Sequence, residues 1–304
     1  KRQHAGERHK AVNKRKEADG AEKRMNEDFY FYDAPNGVRL IKNKRLDAFE
    51  NIAHAFTTRR GGVSTGECES LNLSWKRRDS QENVWENHCR MAKAMGVDVE
   101  NIVFVQLTHS DRVLCVDKGF RNGGRGWSDI PVGYDAVITN DTDTVLLART
   151  ADCGTVLMHD PVRQVIAAVH SGWKGTAAGV IVNAVQTMKE KYGCAAENIT
   201  AVCGPSICPE CFLVHDDCAQ VFFDAFGKGK YDRLMPDGRY SIDLWRIMED
   251  QLLSCGIKPE NISAAHCCTC CDEDNFFSHR RGRGHSGIML AVIDMRGAEE
   301  KSKK

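Results

Sequence analysis

A layered α/β (α+β) single domain with a mixed β-sheet is the fold class that this sequence predicts, and three observations predict it. Nine short apolar runs have strand length. Four longer stretches carry the spacing of an amphipathic helix. Strand-like and helix-like segments do not alternate regularly, and several neighbouring runs are close enough for hairpins, which argues for mixed pairing over a purely parallel sheet.

Taken in order, residues 1–27 carry nine Lys or Arg against five Asp or Glu, with Val12 and Met25 almost the only apolar side chains. Such a segment cannot hold a core, so a solvated helix or disordered arm is expected; without interleaved aromatic residues it does not read as a nucleic-acid arm. The folded body begins near residues 29–31, continues through 39–41 and runs to about Met295 without a Pro/Gly/Ser-rich linker or an internal repeat. The expected division is a charged arm (1–27), one domain (28–295) and a charged tail (296–304). Strands are expected at 52–56, 102–105, 136–138, 144–148, 155–158, 165–169, 199–203, 262–265 and 288–293. Helices are expected at 81–95, 177–192, 218–226 and 244–255.

The chain has 304 residues, 42% hydrophobic, with 42 basic and 42 acidic side chains. It is long enough for a large core, and its balanced charge gives no reason to seek nucleic acid or a membrane surface. No apolar run approaches the roughly 20 residues of a membrane-spanning helix, and the N-terminal stretch lacks a signal-peptide core, so a cytoplasmic protein is expected. It is expected to be a monomer, with a dimer also compatible. Fourteen cysteines in a chain of this length point to thiols and metal ligands over a disulfide scaffold.

The chemistry gathers around Cys153 and His170. If 155–158 and 165–169 form an antiparallel hairpin over Asp160-Pro161, Cys153 before the first strand and His170 after the second meet at one edge. His109, after the run 102–105, offers a third ligand, and two imidazoles with one thiolate leave a fourth position open for catalysis. A buried apolar cysteine and hydrogen-bonded core histidines account equally for the same residues.

Gly172-Trp173-Lys174-Gly175-Thr176 precedes the helix expected at 177. It is either a tight turn or an anion cradle to which Lys174 adds charge. Arg59, in Arg59-Arg60-Gly61-Gly62, is a second candidate for an anion, and Asn72 either orients a substrate hydroxyl or closes a turn. Cys208-Pro209-Glu210-Cys211 and Cys268-Thr269-Cys270-Cys271 contain Cys-x-x-Cys spacings that four-thiolate zinc knuckles, redox pairs or plain packing all employ.

Several motifs in order resemble the polyphenol oxidase/laccase-like (multicopper polyphenol oxidase, laccase-domain) family, better described as purine nucleoside phosphorylases. They are Thr58-Arg59-Arg60-Gly61-Gly62-Val63-Ser64 with Leu71-Asn72-Leu73, Gln106-Leu107-Thr108-His109, Asp135-Ala136-Val137-Ile138-Thr139 and Arg149-Thr150-Ala151-Asp152-Cys153. His170-Ser171-Gly172-Trp173-Lys174-Gly175-Thr176, Gly204-Pro205-Ser206-Ile207 and Phe276-Phe277-Ser278-His279-Arg280-Arg281 follow. The resemblance covers about residues 52–293.

It implies one mixed α/β domain related to bacterial toxin and deamidase cysteine-hydrolase architectures. Zinc, ranked ahead of copper, is implied at His109, Cys153 and His170, with these three and Asn72 as the expected catalytic residues and phosphate expected on Arg59 and Lys174. The implied reaction is phosphorolysis of adenosine, inosine, guanosine or methylthioadenosine to the base and (methylthio)ribose 1-phosphate, with adenosine deamination as a side activity. The partners are therefore purine nucleosides and inorganic phosphate. A metal-free cysteine hydrolase using Cys153 and His170, and a copper-dependent polyphenol oxidase, are the alternatives. The chain departs from the family pattern at Ser171, Lys174, Ile288 and the run from Cys208 to Leu213.

Overall fold

Runs that are apolar at every position become strands covered on both faces. The structure, a computed structural model, describes residues 25–120, 122 and 130–297. The expected arm lies outside the described residues up to position 24, as do most of the glycine-rich stretch 119–127 and the tail from 298 onward.

Among the described residues the strands are β1 (Phe29–Asp33), β2 (Arg39–Asn43), β3 (Ile52–Thr57), β4 (Ile102–Val103), β5 (Val113–Cys115), β6 (Ala136–Thr139), β7 (Val145–Thr150) and β8 (Gly154–Asp160). They continue as β9 (Val165–Ser171), β10 (Thr200–Cys203), β11 (Leu213–Val214), β12 (Asp232–Leu234), β13 (Tyr240–Ile242), β14 (Ile262–Ala264) and β15 (Met289–Met295). The helices are α1 (Lys44–Asp47), α2 (Gln81–Met95), α3 (Trp173–Ala178), α4 (Val180–Tyr192), α5 (Asp216–Phe226) and α6 (Leu244–Ser254).

Two six-stranded sheets, ordered β1-β2-β3-β15-β7-β4 and β14-β10-β8-β9-β6-β5, pack face to face, and a small sheet β11-β13-β12 stands beside them. Most pairs are antiparallel; β4–β7, β5–β6 and β10–β14 are parallel, so the sheets are mixed as expected. The side-chain period of two explains the total burial of β9. Ile166 and Ala168 enter the core between the sheets with Phe56, Leu146 and Ala291, while Val165, Ala167 and Val169 meet α4 and α6 through Val185, Met188 and Met248. On the first sheet, Leu290 and Val292 turn outward to Met91 and Met95 of α2. The result is a single α+β domain in which helices cover the outer faces of two sheets.

Two expected elements come out differently. The helix expected at 177–192 is two helices: α3 already begins at Trp173, where the sequence predicts a tight turn or an anion cradle, and Gly179, with a left-handed φ of 87°, ends α3 and opens α4. The strand expected at 102–105 stops at Val103: Phe104 N donates to Asn122 Oδ1 at 2.7 Å and Asn122 Nδ2 donates to Phe104 O at 2.9 Å, so a side-chain amide takes the place of a neighbouring strand.

Candidate metal centre

The β8–β9 hairpin sets the site. Its register pairs Gly154 with Ser171 and Thr155 with His170, and Asp160 Oδ1 closes the turn by accepting from Val162 N at 2.8 Å and Arg163 N at 3.0 Å. Cys153 therefore precedes β8 beside the strand end that carries His170. His109 reaches the same point from the β4–β5 connection in a left-handed conformation, φ 58°. One donor atom from each of His109, Cys153 and His170 lies within 4.8 Å of the other two, and the two imidazoles stack with centroids 5.0 Å apart. Gly172 fits between the rings only because it lacks a side chain: a Cβ there would stand 2.9 Å from His109 Cδ2 and 2.9 Å from His170 Cε1.

Asp135, at the entrance to β6, organises this cluster. Its Oδ1 accepts from His170 Nδ1 at 2.8 Å and from His109 N at 3.0 Å, and its Oδ2 accepts from Ser110 N at 2.7 Å and Ser110 Oγ at 2.9 Å. Burial works against the Asp135 anion, but the bonds from His170 and Ser110 outweigh it and bring its pKa down to about 2. Burial likewise disfavours charge on His170, yet the facing Cys153 and the Asp135 carboxylate raise it to about 9. His109 moves the other way, lowered by desolvation, by His170 and by the nearby Lys174. With Nδ1 committed to Asp135, His170 turns Nε2 to the centre, the carboxylate-backed arrangement of a metal-ligating histidine. One thiolate and two imidazoles are a donor set for transition-metal ions, so the residues fit such an ion. The same aspartate, histidine and cysteine also align as a metal-free triad would.

The three residues open into a cavity of about 560 Å³. Lys76, Arg149 and Arg280 bring positive charge to it, and Leu107, Trp173 and Phe212 give it apolar walls. Arg149 Nη2 is fixed on Val105 O at 2.6 Å. Desolvation, and to a lesser degree the charge of Arg149, lower the pKa of Lys76. Asp152, next to the ligand cysteine, is a brace: its carboxylate accepts from Thr269 Oγ1 at 2.7 Å, Ser278 Oγ at 3.0 Å and Arg280 N at 2.7 Å.

Other expected site residues stand elsewhere. Arg59 is not among the residues lining the cavity; its guanidinium lies 4.8 Å above the Phe277 ring and donates to Glu273 O at 3.2 Å, which ties two loops together. Asn72 is fully buried, donates its amide to Asp79 Oδ2 at 2.8 Å and accepts from Ile288 N at 3.1 Å, so it closes turns and is not among the residues lining this cavity. Lys174 is not among the lining residues either; its ammonium lies 5.2 Å from the Trp173 ring and its charge is felt at His109. Asp135 and Arg149 were not singled out as site residues, although each is a charged residue at the edge of an apolar run, where packing alone gives it no purpose. Lys76 and Arg280 lie in loops far from the hairpin in sequence and carry no such signal.

Residues 53–296 match the profile of the family described as Multi-copper polyphenol oxidoreductase laccase. The chain belongs to this family. Among relatives of this laccase-family chain, a purine nucleoside phosphorylase of Bacteroides thetaiotaomicron is 32% identical over 264 residues, 83% of this chain and 96% of that protein. Adenosine deaminase RL5, from an unknown prokaryotic organism, is 31% identical over 264 residues, 82% of this chain and 99% of that protein. The crystal structure of YlmD from Geobacillus stearothermophilus superposes with a TM-score of 0.81 at 29% identity, covering 88% of this chain and 99% of that one. These likenesses place the laccase-family chain among enzymes related to purine nucleoside phosphorylases and adenosine deaminases.

The expected ranking of zinc over copper is corrected. The matching family is a multi-copper one, and two histidines with one cysteine are also the equatorial ligands of blue-copper sites, so copper stands first. A second group of soft donors, Cys208, Cys211, Cys268 and Cys271, points the same way, because thiolates hold copper(I) well. Among the described residues no helix is long and apolar enough to cross a membrane.

Proposed function

We propose that the 28–295 domain is a metal-dependent purine nucleoside phosphorylase, in which inorganic phosphate attacks the ribose anomeric carbon and the purine leaves. The observation that carries this reading is the cavity that joins the His109–Cys153–His170 cluster to Lys76, Arg149 and Arg280. Three cations facing one cavity favour a multiply charged anion, so these side chains, with Lys174 close to His109, hold phosphate. Trp173, Phe212 and Leu107 offer the flat apolar surface that a purine needs, and fixing both reactants in one cavity lowers the entropic part of the barrier. His109, Cys153 and His170 hold the metal, which supplies Lewis acidity to a substrate oxygen or a water, and Asp135 keeps the proton on His170 Nδ1. The same centre supports adenosine deamination as a lesser activity, in line with the name of the deaminase relative.

Product analysis tests this: adenosine or inosine should give free base and ribose 1-phosphate only when phosphate is present. A Lys76→Ala, Arg149→Ala double variant should raise the KM for phosphate at least tenfold, roughly 1.4 kcal/mol, with the metal content unchanged. Base release without phosphate would show a hydrolase instead.

The second reading is copper-dependent oxidation of phenols. The family description and the Cys-His₂ donor set favour it, and they back it more directly than the zinc-dependent reaction expected from the sequence. Elemental analysis and oxygen uptake with a phenol on copper-loaded protein decide it: stoichiometric copper with sustained oxygen consumption makes this the function.

A further inference from the structure

Far from the hairpin in sequence, two Cys-x-x-Cys segments meet. Cys208, Cys211, Cys268 and Cys271 each bring a sulfur to within 4.8 Å of the other three, and Cys211 Sγ stands 3.4 Å from Cys271 Sγ. Both segments are tight turns: Cys211 N and Phe212 N donate to Cys208 O at 3.0 and 2.9 Å, and Asp272 N donates to Cys268 O at 3.2 Å. A parallel bridge between Ser206 and Cys268 sets the two turns side by side.

Neutral thiols are weak donors and weak acceptors, so four of them gain little by converging. Deprotonated around a soft cation they gain four bonds. A tetrahedral ion with metal–sulfur bonds of about 2.3 Å sets sulfurs about 3.8 Å apart, close to the present spread, in which no two lie more than 4.8 Å apart. N–H and guanidinium donors stand around the turns. Cys208 N donates to Cys268 Sγ at 3.3 Å, and the guanidinium groups of Arg280 and Arg281 donate to Cys211 O at 2.7 Å and Cys270 O at 2.9 Å.

We infer that these four cysteines bind one soft, thiophilic metal ion as a structural clamp, separate from the His109–Cys153–His170 centre. Each thiol gives its proton to solvent as its metal–sulfur bond forms. The clamp staples two loops that build a wall of the cavity. Ile207 and Phe212, which flank the first pair, line it, and Thr269, inside the second pair, holds the Asp152 carboxylate beside Cys153. The inference rests on the thiol geometry and is independent of the reaction catalysed.

The test uses the full chain, stripped with chelator under reducing conditions and titrated with Cd²⁺, followed by its thiolate charge-transfer absorption and by elemental analysis. Wild type should bind two equivalents. A Cys153→Ser, His170→Ala variant should keep the tetrathiolate equivalent, and a Cys208→Ser, Cys271→Ser variant should lose it while keeping the other. Alkylation mapping on wild type needs no variant: the four cysteines should be protected in the loaded protein and react at least tenfold faster after chelation. Equal cadmium stoichiometry in wild type and Cys208→Ser, Cys271→Ser would overturn the inference. So would rapid alkylation of all four in loaded protein, or recovery of these cysteines as disulfides from freshly trapped material.

Discussion

At the residue scale the decisive group is Asp135, which holds both histidines by separate bonds to one oxygen. Removing its charge while keeping its shape releases the His170 tautomer and loosens the His109 loop. Asp135→Asn should therefore weaken metal affinity by about 10–100-fold, read by competition with a chelator of known strength; unchanged affinity would leave Asp135 no role at the centre. The pair also has a pH signature in metal-free protein. The carboxylate, lowered to about 2 from 3.8, contributes stability that is present above about pH 4 and lost as pH falls through 2. His170, raised to about 9 from 6.5, contributes stability that is full below about pH 6.5 and lost as pH rises through 9. The difference in unfolding free energy between wild type and Asp135→Asn, from urea melts, should be widest between about pH 4 and 6.5 and shrink on both sides. A difference that stays flat from about pH 2 to 9 would mean that the pair does not couple to folding.

At the element scale the hairpin β8–β9 and the turn into α3 form the frame. Strand register decides that Cys153 and His170 share an edge, and the turn decides whether two imidazoles fit beside it. Gly172 has an ordinary φ of −68°, so the backbone would accept alanine; the restriction comes from the two rings, each 2.9 Å from the new Cβ. Gly172→Ala should spare the melting temperature to within a few degrees yet lower metal affinity by on the order of tenfold, because a ring must shift. Retained affinity, measured in the same competition assay, would show that the rings adapt freely. Much of this frame is legible in sequence: uninterrupted apolar runs on both sides of Asp160-Pro161 predict a hairpin, and a hairpin brings its ends together. The break at Gly179 is not legible, since periodicity continues across it and only packing of α3 and α4 against different neighbours requires it.

At the scale of the whole molecule, the centre gathers ligands from His109 to His170, 61 residues apart in sequence, so a bound metal links the β4–β5 connection to the central hairpin. Metal bound only by the folded state stabilises it by mass action, about 2.7 kcal/mol at free metal one hundred times Kd. Chelation should then lower the melting temperature by about 5–10 °C, reversibly on adding the metal back; no shift would argue against a preformed site. The sequence alone determined the mixed α+β class, the core strands and the three ligand candidates, because hydrophobic period and hairpin closure are local properties. It also carried the family resemblance. Only the tertiary structure decided which charges face the cavity. Arg59 and Asn72 carry the right chemistry but are spent on loop closure, while Lys76, Arg149 and Arg280 reach the site from three distant segments. The convergence of Cys208 and Cys211 with Cys268 and Cys271 was likewise left open by spacing, since the loop between the pairs fixes no distance and the pairing of β10 with β14 does.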